Sequence, residues 1–362
     1  MPAEVCLSLP EDADAEELRR VYSQPKACWP EPYLADDVVH KELGLLPEMT
    51  YPEDNPWSEA KEELGKHLFF DPRLSGSEQI ACANCHDPDL GWGDGRESSF
   101  GHDRQRGDRN AQTLINAGYH EHVLWDGAAE SLEDQSLIAV ASEIEMNAAP
   151  GKAADRLQRL EGYRERFKAV FGDAQVTKQE MAKALATFVR TVTSRESDFD
   201  RFLKGDSDQL DEAELRGLHK FRTKGRCMNC HSGPLLSDGK FHNIGLHFYG
   251  RRREDLGRYK ITGDPEDVGA FRTPSLRDVT QTGPWMHNGL FMSLDSVLNM
   301  YSAGGARPEP REAFEDDPLF PETSELLKPL DLTERDKDDI EAFLGAISKH
   351  PIRLSPPERI DE

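Results

Sequence analysis

The sequence predicts a mainly α-helical protein made of two related domains with long loops and an N-terminal extension. Apolar residues recur at helical spacing in several segments, whereas alternating runs typical of strands are sparse. The string Cys-x-x-Cys-His occurs twice, 145 residues apart, which indicates two related halves. The length of 362 residues is sufficient for two domains that each bury a core.

The charge of the chain restricts its partners. The formal net charge is −24, and residues 1–60 and 306–362 carry −10 and −8 of it. We expect no binding to nucleic acid or to an anionic membrane surface from so acidic a chain. No apolar run approaches the length of a membrane-spanning helix, and no signal peptide opens the chain. The acidic ends either aid solubility or dock a basic partner.

The helices are predicted from the same periodicity. A short one is expected near residues 16–22 of the Pro-rich extension, and one long amphipathic helix over residues 178–203. One helix is expected to start after Ser293 and another after Thr333, because both residues are favourable N-caps. Residues 232–292 are rich in Gly, Pro and turn pairs, which predicts long loops.

A weak internal repeat precedes each Cys-x-x-Cys-His string. In both places a Gly is followed by a Phe four residues later, namely Gly65 and Phe69 in the first half and Gly217 and Phe221 in the second. We interpret each segment as the first helix of a cytochrome c unit, in which the Gly permits close packing.

The two Cys-x-x-Cys-His strings are the attachment signal of c-type haem. Two thiols add to the porphyrin vinyl groups, and the adjacent His ligates the iron. A single zinc site would need its ligands in one cluster, and a redox Cys pair does not require the His. The strings consist of Cys82, Cys85 and His86 in the first half and Cys227, Cys230 and His231 in the second. The fold class is therefore two cytochrome c-like haem domains, with two covalently bound haems c.

Covalent haem attachment takes place outside the bacterial cytoplasm, so we expect a periplasmic protein whose leader is missing from this sequence. The remaining cysteines, Cys6 and Cys28, flank an acidic segment of the extension. In an oxidising compartment they form a disulfide; two free thiols are the alternative.

The chain resembles the bacterial dihaem cytochrome c peroxidase superfamily and, within it, the MauG branch. The resemblance covers roughly residues 55–350. Besides the haem motifs, it rests on short matches in the expected order at residues 101–105, 109–114, 124–127, 143–146, 242–245, 271–278 and 282–289. It implies domains at 56–205, with the peroxide-reacting haem, and at 206–350, with an electron-transfer haem, between an extension (1–55) and a tail (351–362).

For the first haem, the resemblance implies His86 as the proximal ligand and Glu145 as the distal carboxylate that moves a proton. Glu143 is the competitor two residues away. Gln135 resembles a distal amide that orients peroxide. His102 matches the His that ligates the resting peroxide haem in ordinary dihaem peroxidases and is generally missing in the MauG branch. A second acid–base group and a loop His without a role are the alternatives.

For the second haem, the resemblance implies His231 as the proximal ligand and Tyr301 as the distal ligand, with Met300 as the rival. Tyr is typical of the MauG branch and Met of ordinary peroxidases. A phenolate favours the oxidised iron, whereas a thioether favours the reduced iron. Trp125 matches the residue that carries electron holes between the haems. Trp285 is a weaker candidate for passing holes outward.

The resemblance also implies one calcium ion, with oxygen ligands from Asn110, Thr282 and Pro284. The main hypothesis is a hydrogen-peroxide-dependent oxidoreductase of MauG type that oxidises a protein partner, including modification of Trp or Tyr side chains. The alternatives are an ordinary peroxidase supplied with electrons by a small donor protein and a non-enzymatic electron carrier or redox sensor.

Overall fold

The computed structural model describes residues 6–10, 13–350 and 354–360. The described chain is mainly helical, as the sequence predicts, with one two-stranded sheet. The first five residues of the predicted extension lie outside the described residues. The helices are α1 (Ala15–Tyr22), α2 (Glu59–Phe69), α3 (Leu132–Ala141), α4 (Pro150–Gln158), α5 (Glu161–Phe171), α6 (Lys178–Thr191), α7 (Asp198–Leu203), α8 (Glu212–Arg222), α9 (Tyr259–Thr262), α10 (Leu294–Ser302) and α11 (Glu334–Ala346).

The chain divides into two compact units, and each contains one Cys-x-x-Cys-His string. The first unit, with His86, consists of Glu48–Thr193, Thr282–Met292 and Pro351–Glu362. The second unit, with His231, consists of Met1–Pro47, Ser194–Gln281 and Ser293–His350. The contiguous domains expected from the sequence stay a prediction.

The core of the first unit forms where α2 crosses α6. A Cβ atom added at Gly65 of α2 would lie 2.0 Å from the carbonyl oxygen of Ala184 on α6. Only Gly permits so close an approach of two helix backbones. The rings of Phe69 and Phe188 then pack with their centroids 5.2 Å apart.

The second unit repeats this crossing with α8 and α11. A Cβ atom at Gly217 of α8 would lie 1.9 Å from the carbonyl oxygen of Asp339 on α11. The rings of Phe221 and Phe343 lie 5.3 Å apart. The weak repeat in the sequence therefore corresponds to one packing arrangement used twice.

The single helix predicted over residues 178–203 is wrong, because the structure contains two helices there. The first, α6, ends at Thr191, where Val192 takes ψ 84° and leaves the helical conformation. Ser197 then starts α7 by accepting a hydrogen bond from the backbone of Asp200, whose side chain binds back. Periodicity continued across the break, but the N-cap at Ser197 decides the local structure.

The other predicted helices are confirmed. Helix α1 occupies Ala15–Tyr22. Ser293 caps α10 and Thr333 caps α11, each by accepting a hydrogen bond from a backbone N–H three residues later. The predicted loop region contains only short elements, including strands β1 (Phe241–His242) and β2 (Phe271–Arg272), which pair antiparallel.

The described residues of the extension up to Pro47 belong to the second unit. A disulfide joins Cys6 and Cys28, as one of the two sequence interpretations expected. Arg222 of α8 is 1% exposed at its side chain, and its guanidinium lies over the rings of Tyr22 and Trp29. Among the described residues, no helix has the length and apolar character needed to cross a membrane.

Candidate haem sites

In the first unit, the haem motif forms a tight turn that presents one nitrogen of His86. A short 3₁₀ helix covers Cys82–Asn84, and the backbone N–H of His86 donates to the carbonyl of Cys82. The His86 ring donates through Nδ1 to the carbonyl oxygen of Trp92, at 3.1 Å. This bond fixes the tautomer and leaves Nε2 as the donor atom for iron.

The second motif has the same construction. A 3₁₀ helix covers Cys227–Asn229, and His231 Nδ1 donates to the carbonyl oxygen of Leu236, at 3.0 Å. Burial lowers the pKa of both His86 and His231, which favours the neutral imidazole that binds metal. Each donor set, two thiols and one oriented imidazole, fits a covalently attached haem.

Glu145 lies near the first motif. It occupies a turn that follows α3. Glu145 is an exposed residue, yet desolvation by the surrounding protein raises the pKa of its carboxyl. Burial also raises the pKa of Cys82 to about 12, and the charges of Cys85 and Glu145 add to this rise. Glu145 therefore lies near the Cys82 thiol. Glu143 is an exposed residue of the same turn.

The loop that carries His102 is bound to the Glu145 turn. The backbone N–H of His102 lies 2.8 Å from the carbonyl oxygen of Ile144 and 2.9 Å from that of Glu145. A Cβ atom at Gly101 would lie 2.1 Å from the Ile144 oxygen, so the close contact needs Gly there. His102 Nε2 is 3.4 Å from Asp103, while its buried Nδ1 has no hydrogen-bond partner.

Gln135 is a half-buried residue of α3, the helix that leads into the Glu145 turn. Its neighbour Glu133 is held at 2.7 and 2.8 Å by the guanidinium of Arg190 on α6. This ion pair anchors α3 to α6. It therefore fixes the position of Gln135 and of the turn that follows α3.

In the second unit, α10 directs Tyr301 toward the haem motif. Leu294, Val297 and Leu298 form the buried side of this helix, and Tyr301 is four residues after Val297 on the same side. Burial raises the pKa of the Tyr301 phenol, and the charges of Cys230 and Cys227 add to the rise. The phenol therefore lies close to both thiols of the second motif.

Trp125 and the three residues predicted to bind calcium belong to the first unit. Trp125 Nε1 donates to the Asn110 carbonyl oxygen at 3.0 Å. Asn110 is buried, and its side-chain amide donates to Arg96 at 2.8 Å, which leaves its Oδ1 for another partner. Pro284 is buried and Thr282 is half-buried. Trp285, from the same loop, is half-buried in the first unit.

Two features of the second site were not found from the sequence. Cys230, Asp238 and His242 place a sulfur, a carboxylate oxygen and a ring nitrogen within 4.8 Å of one another. Burial lowers the pKa of His242, but the hydrogen bond that its ring donates to Asp238 outweighs this effect and, with Cys230, raises the pKa to about 10. The sequence feature that could have revealed this cluster is an Asp-Gly pair shortly after each haem motif, at Asp94 and Asp238.

The second missed feature is Arg272, on β2. Its side chain is 4% exposed, and burial lowers its pKa to about 10. A buried guanidinium in a haem domain is suited to a haem propionate, because it forms two parallel hydrogen bonds with a carboxylate. Residues 271–278 are one of the family matches in the sequence, but that match gave no role to Arg272.

Comparisons with known proteins agree with the two haem sites. A family model described as di-haem cytochrome c peroxidase matches residues 59–208. The chain is 38% identical over 339 residues to cytochrome-c peroxidase IdrP1 of Pseudomonas sp. (strain SCT), with 86% of each chain covered. The chain belongs to the di-haem cytochrome c peroxidase family. Two covalently bound haems c are therefore its expected cofactors, and hydrogen peroxide is the oxidant the family implies.

Relatives in this family are named either cytochrome-c peroxidase or MauG. Methylamine utilization protein MauG of Methylorubrum extorquens is 37% identical over 313 residues, covering 85% of this chain and 84% of that protein. A crystal structure of a MauG-like protein associated with microbial copper homeostasis superposes with a TM-score of 0.77 at 32% identity. It covers 90% of this chain and 98% of that structure. The family thus supports peroxidase or MauG-type chemistry on a mainly helical fold.

Proposed function

We propose that the protein is a hydrogen-peroxide-dependent oxidoreductase of MauG type that stores two oxidising equivalents over both haems and oxidises a protein partner. The observation that carries this proposal is Tyr301, whose phenol lies close to Cys227 and Cys230. A phenolate ligand stabilises oxidised iron, so the second haem is suited to holding an oxidising equivalent.

Different residues of the first unit have different roles in peroxide cleavage. Haem supplies the iron at which the O–O bond is broken. Glu145 accepts a proton from one peroxide oxygen and returns it to the other, which leaves as water. Gln135 orients peroxide by hydrogen bonding. Over a full cycle, one hydrogen peroxide takes up two protons and two electrons and gives two waters, and the partner loses those two electrons.

Trp125 is the residue we propose to relay electron holes. Its indole nitrogen is bound to the Asn110 carbonyl and its ring meets His287 edge-on, with centroids 6.4 Å apart. Both contacts hold the ring in one orientation, which keeps an electron-transfer distance constant. We further propose a periplasmic location, because thioether attachment of haem takes place outside the bacterial cytoplasm.

One calcium ion is proposed at Asn110, Thr282 and Pro284, which contribute uncharged oxygens. The Asn110 Oδ1 is the side-chain ligand that supports this site. We expect purified protein to hold one calcium per chain by elemental analysis and Asn110→Ala to lose it. An unchanged calcium content in that variant would exclude Asn110 as a ligand.

An ordinary cytochrome c peroxidase is the second candidate, and His102 favours it. Its buried Nδ1 has no hydrogen-bond partner, as expected of a group available to bind iron at rest. Such an enzyme turns over only after reduction by one electron, when the His leaves, and takes its electrons from a small donor protein.

Adding one equivalent of hydrogen peroxide to the fully oxidised protein separates these functions. A long-lived near-infrared absorption band, from charge shared by two haems, supports the MauG-type reaction. Turnover that requires prior one-electron reduction, and no longer requires it in His102→Ala, supports the ordinary peroxidase. No reaction in either state supports an electron carrier or redox sensor and contradicts both.

A further inference from the structure

The second haem motif carries an ion pair beside one of its cysteines. His242 Nε2 lies 2.8 Å from Asp238 Oδ2, and the two side chains are 15% and 11% exposed. A ring nitrogen, a carboxylate oxygen and Cys230 Sγ all lie within 4.8 Å of one another. Because the thioether bond to haem occupies Cys230, this cluster is not a site for a separate metal ion.

A turn present in both units positions the acidic member of the pair. Asp94 and Asp238 each precede a Gly with φ of +64° and +67°. In each turn the Asp Oδ1 accepts a hydrogen bond of 3.0 Å from the backbone N–H two residues later. The turn therefore brings a carboxylate to the same kind of place after each haem motif.

The two sites differ in what contacts the second cysteine. In the first unit, the side chain of Ser99 lies beside Cys85 and lowers the pKa of its thiol. In the second unit, His242 is hydrogen-bonded to Asp238 and lies within 4.8 Å of the Cys230 sulfur. Arg96 is also near Cys85, but it is exposed to solvent, which screens its charge. Only the sulfur of the second motif has a half-buried cationic partner among these groups.

We propose that His242, held in place by Asp238, is a positioning residue that raises the reduction potential of the second haem. A positive charge beside the Cys230 thioether opposes removal of an electron from the attached haem. Nearby charge, hydrogen bonding and burial are the means by which a protein sets such a potential. The inference rests on the proposed function through Tyr301, because His242 would offset part of the phenolate's preference for oxidised iron.

Reduction potentials of both haems, measured by spectroelectrochemical titration of the holoprotein without peroxide, test this role. His242→Gln is expected to shift the second-haem potential to a more negative value and leave the first unchanged. His242→Lys, which keeps a positive charge, is expected to recover part of the shift. Ser99→Ala is the matched control and should leave the second-haem potential where it was.

An unchanged second-haem potential in a fully loaded His242→Gln variant would overturn the proposal, as would equal shifts in His242→Gln and His242→Lys. If His242→Gln does not retain its second haem, the reciprocal variant Ser99→His decides. A more positive first-haem potential then supports the proposal, and no shift contradicts it. No peroxide is added in this titration, so the potentials test the role of His242 independently of the peroxide reaction. The potential shifts can occur even if the protein does not react with peroxide as proposed. Equally, the peroxide reaction can occur even if His242 has no effect on the potential.

Discussion

Glu145 owes its properties to the short turn that holds it rather than to a helix. The loop at Gly101 and His102 binds the backbone of this turn, and the surrounding protein raises the pKa of the carboxyl. Its place in the sequence, within a family match, was enough to propose it. The choice between Glu145 and Glu143 needed the structure, because both lie in one turn and only their surroundings differ.

Glu145→Gln is predicted to slow the reaction with hydrogen peroxide by about 10²–10⁴-fold. The carboxylate form accepts the proton, so the rate in the unmodified protein should fall as the pH drops through the Glu145 pKa. Because desolvation by the surrounding protein raises that pKa, the fall begins at a higher pH than for a fully solvated glutamate. Stopped-flow rates across the pH range measure both effects. Glu143→Gln, the control, should keep the rate and its pH dependence; a similar loss there would contradict the assignment.

Tyr301 and Met300 give opposite spectra if they ligate the second haem. With Tyr301 as ligand, the oxidised protein lacks the far-red sulfur-to-iron charge-transfer band, and Met300→Leu leaves its visible spectrum unchanged. Tyr301→Met is predicted to introduce that band and to make the second-haem potential more positive, because thioether favours reduced iron. A far-red band in the unmodified oxidised protein would assign the ligand to Met300 instead.

At the scale of helices, the same Gly-dependent crossing forms the core of both units. Spacing of Gly and Phe suggested the repeat, but the partner helices were not predictable, because α6 and α11 lie far along the chain from α2 and α8. The break between α6 and α7 was missed for a related reason. Residues on both sides of it keep apolar positions that fit one helical period, while the capping bonds at Ser197 are local and interrupt it.

Gly217→Ala is predicted to destabilise the second unit by about 1–3 kcal/mol. Its Cβ would lie 1.9 Å from a backbone oxygen of α11, so the helices would have to separate. Gly345→Ala, on α11 itself, is the control: a Cβ there meets nothing within 4 Å, and the change should stabilise the helix by about 0.5–1 kcal/mol. Urea unfolding followed by circular dichroism measures both, and equal effects of the two variants would refute the close-packing argument.

At the scale of the molecule, the sequence identified two haem-bearing halves, because a covalent haem motif is a local string with a fixed spacing. It also placed an acidic, Pro-rich extension ahead of them. What it did not reveal is where the extension binds. Arg222, Asn229 and Arg277 bind backbone or side-chain groups of the extension, and these pairings join residues almost 200 positions apart or more.

The disulfide of the extension is predicted to stabilise this attachment. Replacing both Cys6 and Cys28 by Ser should lower the free energy of unfolding by up to about 3 kcal/mol, because the bridge closes a loop of moderate length. Thermal unfolding of the oxidised protein, with and without reductant, measures the effect. The double variant should no longer respond to reductant; a residual response would place the sensitive bond elsewhere.

Asn229 stands between the two cysteines of the second motif, and its side chain binds Tyr33 and Ala35 of the extension. Haem attachment requires those cysteines to be accessible, so the extension has to dock after the ligation reaction. We therefore expect the extension, which precedes both haem motifs in the chain, to be among the last segments to reach its final place. The expected order of maturation is thus haem attachment first and docking of the extension second, although the two partners are 194 residues apart in the chain.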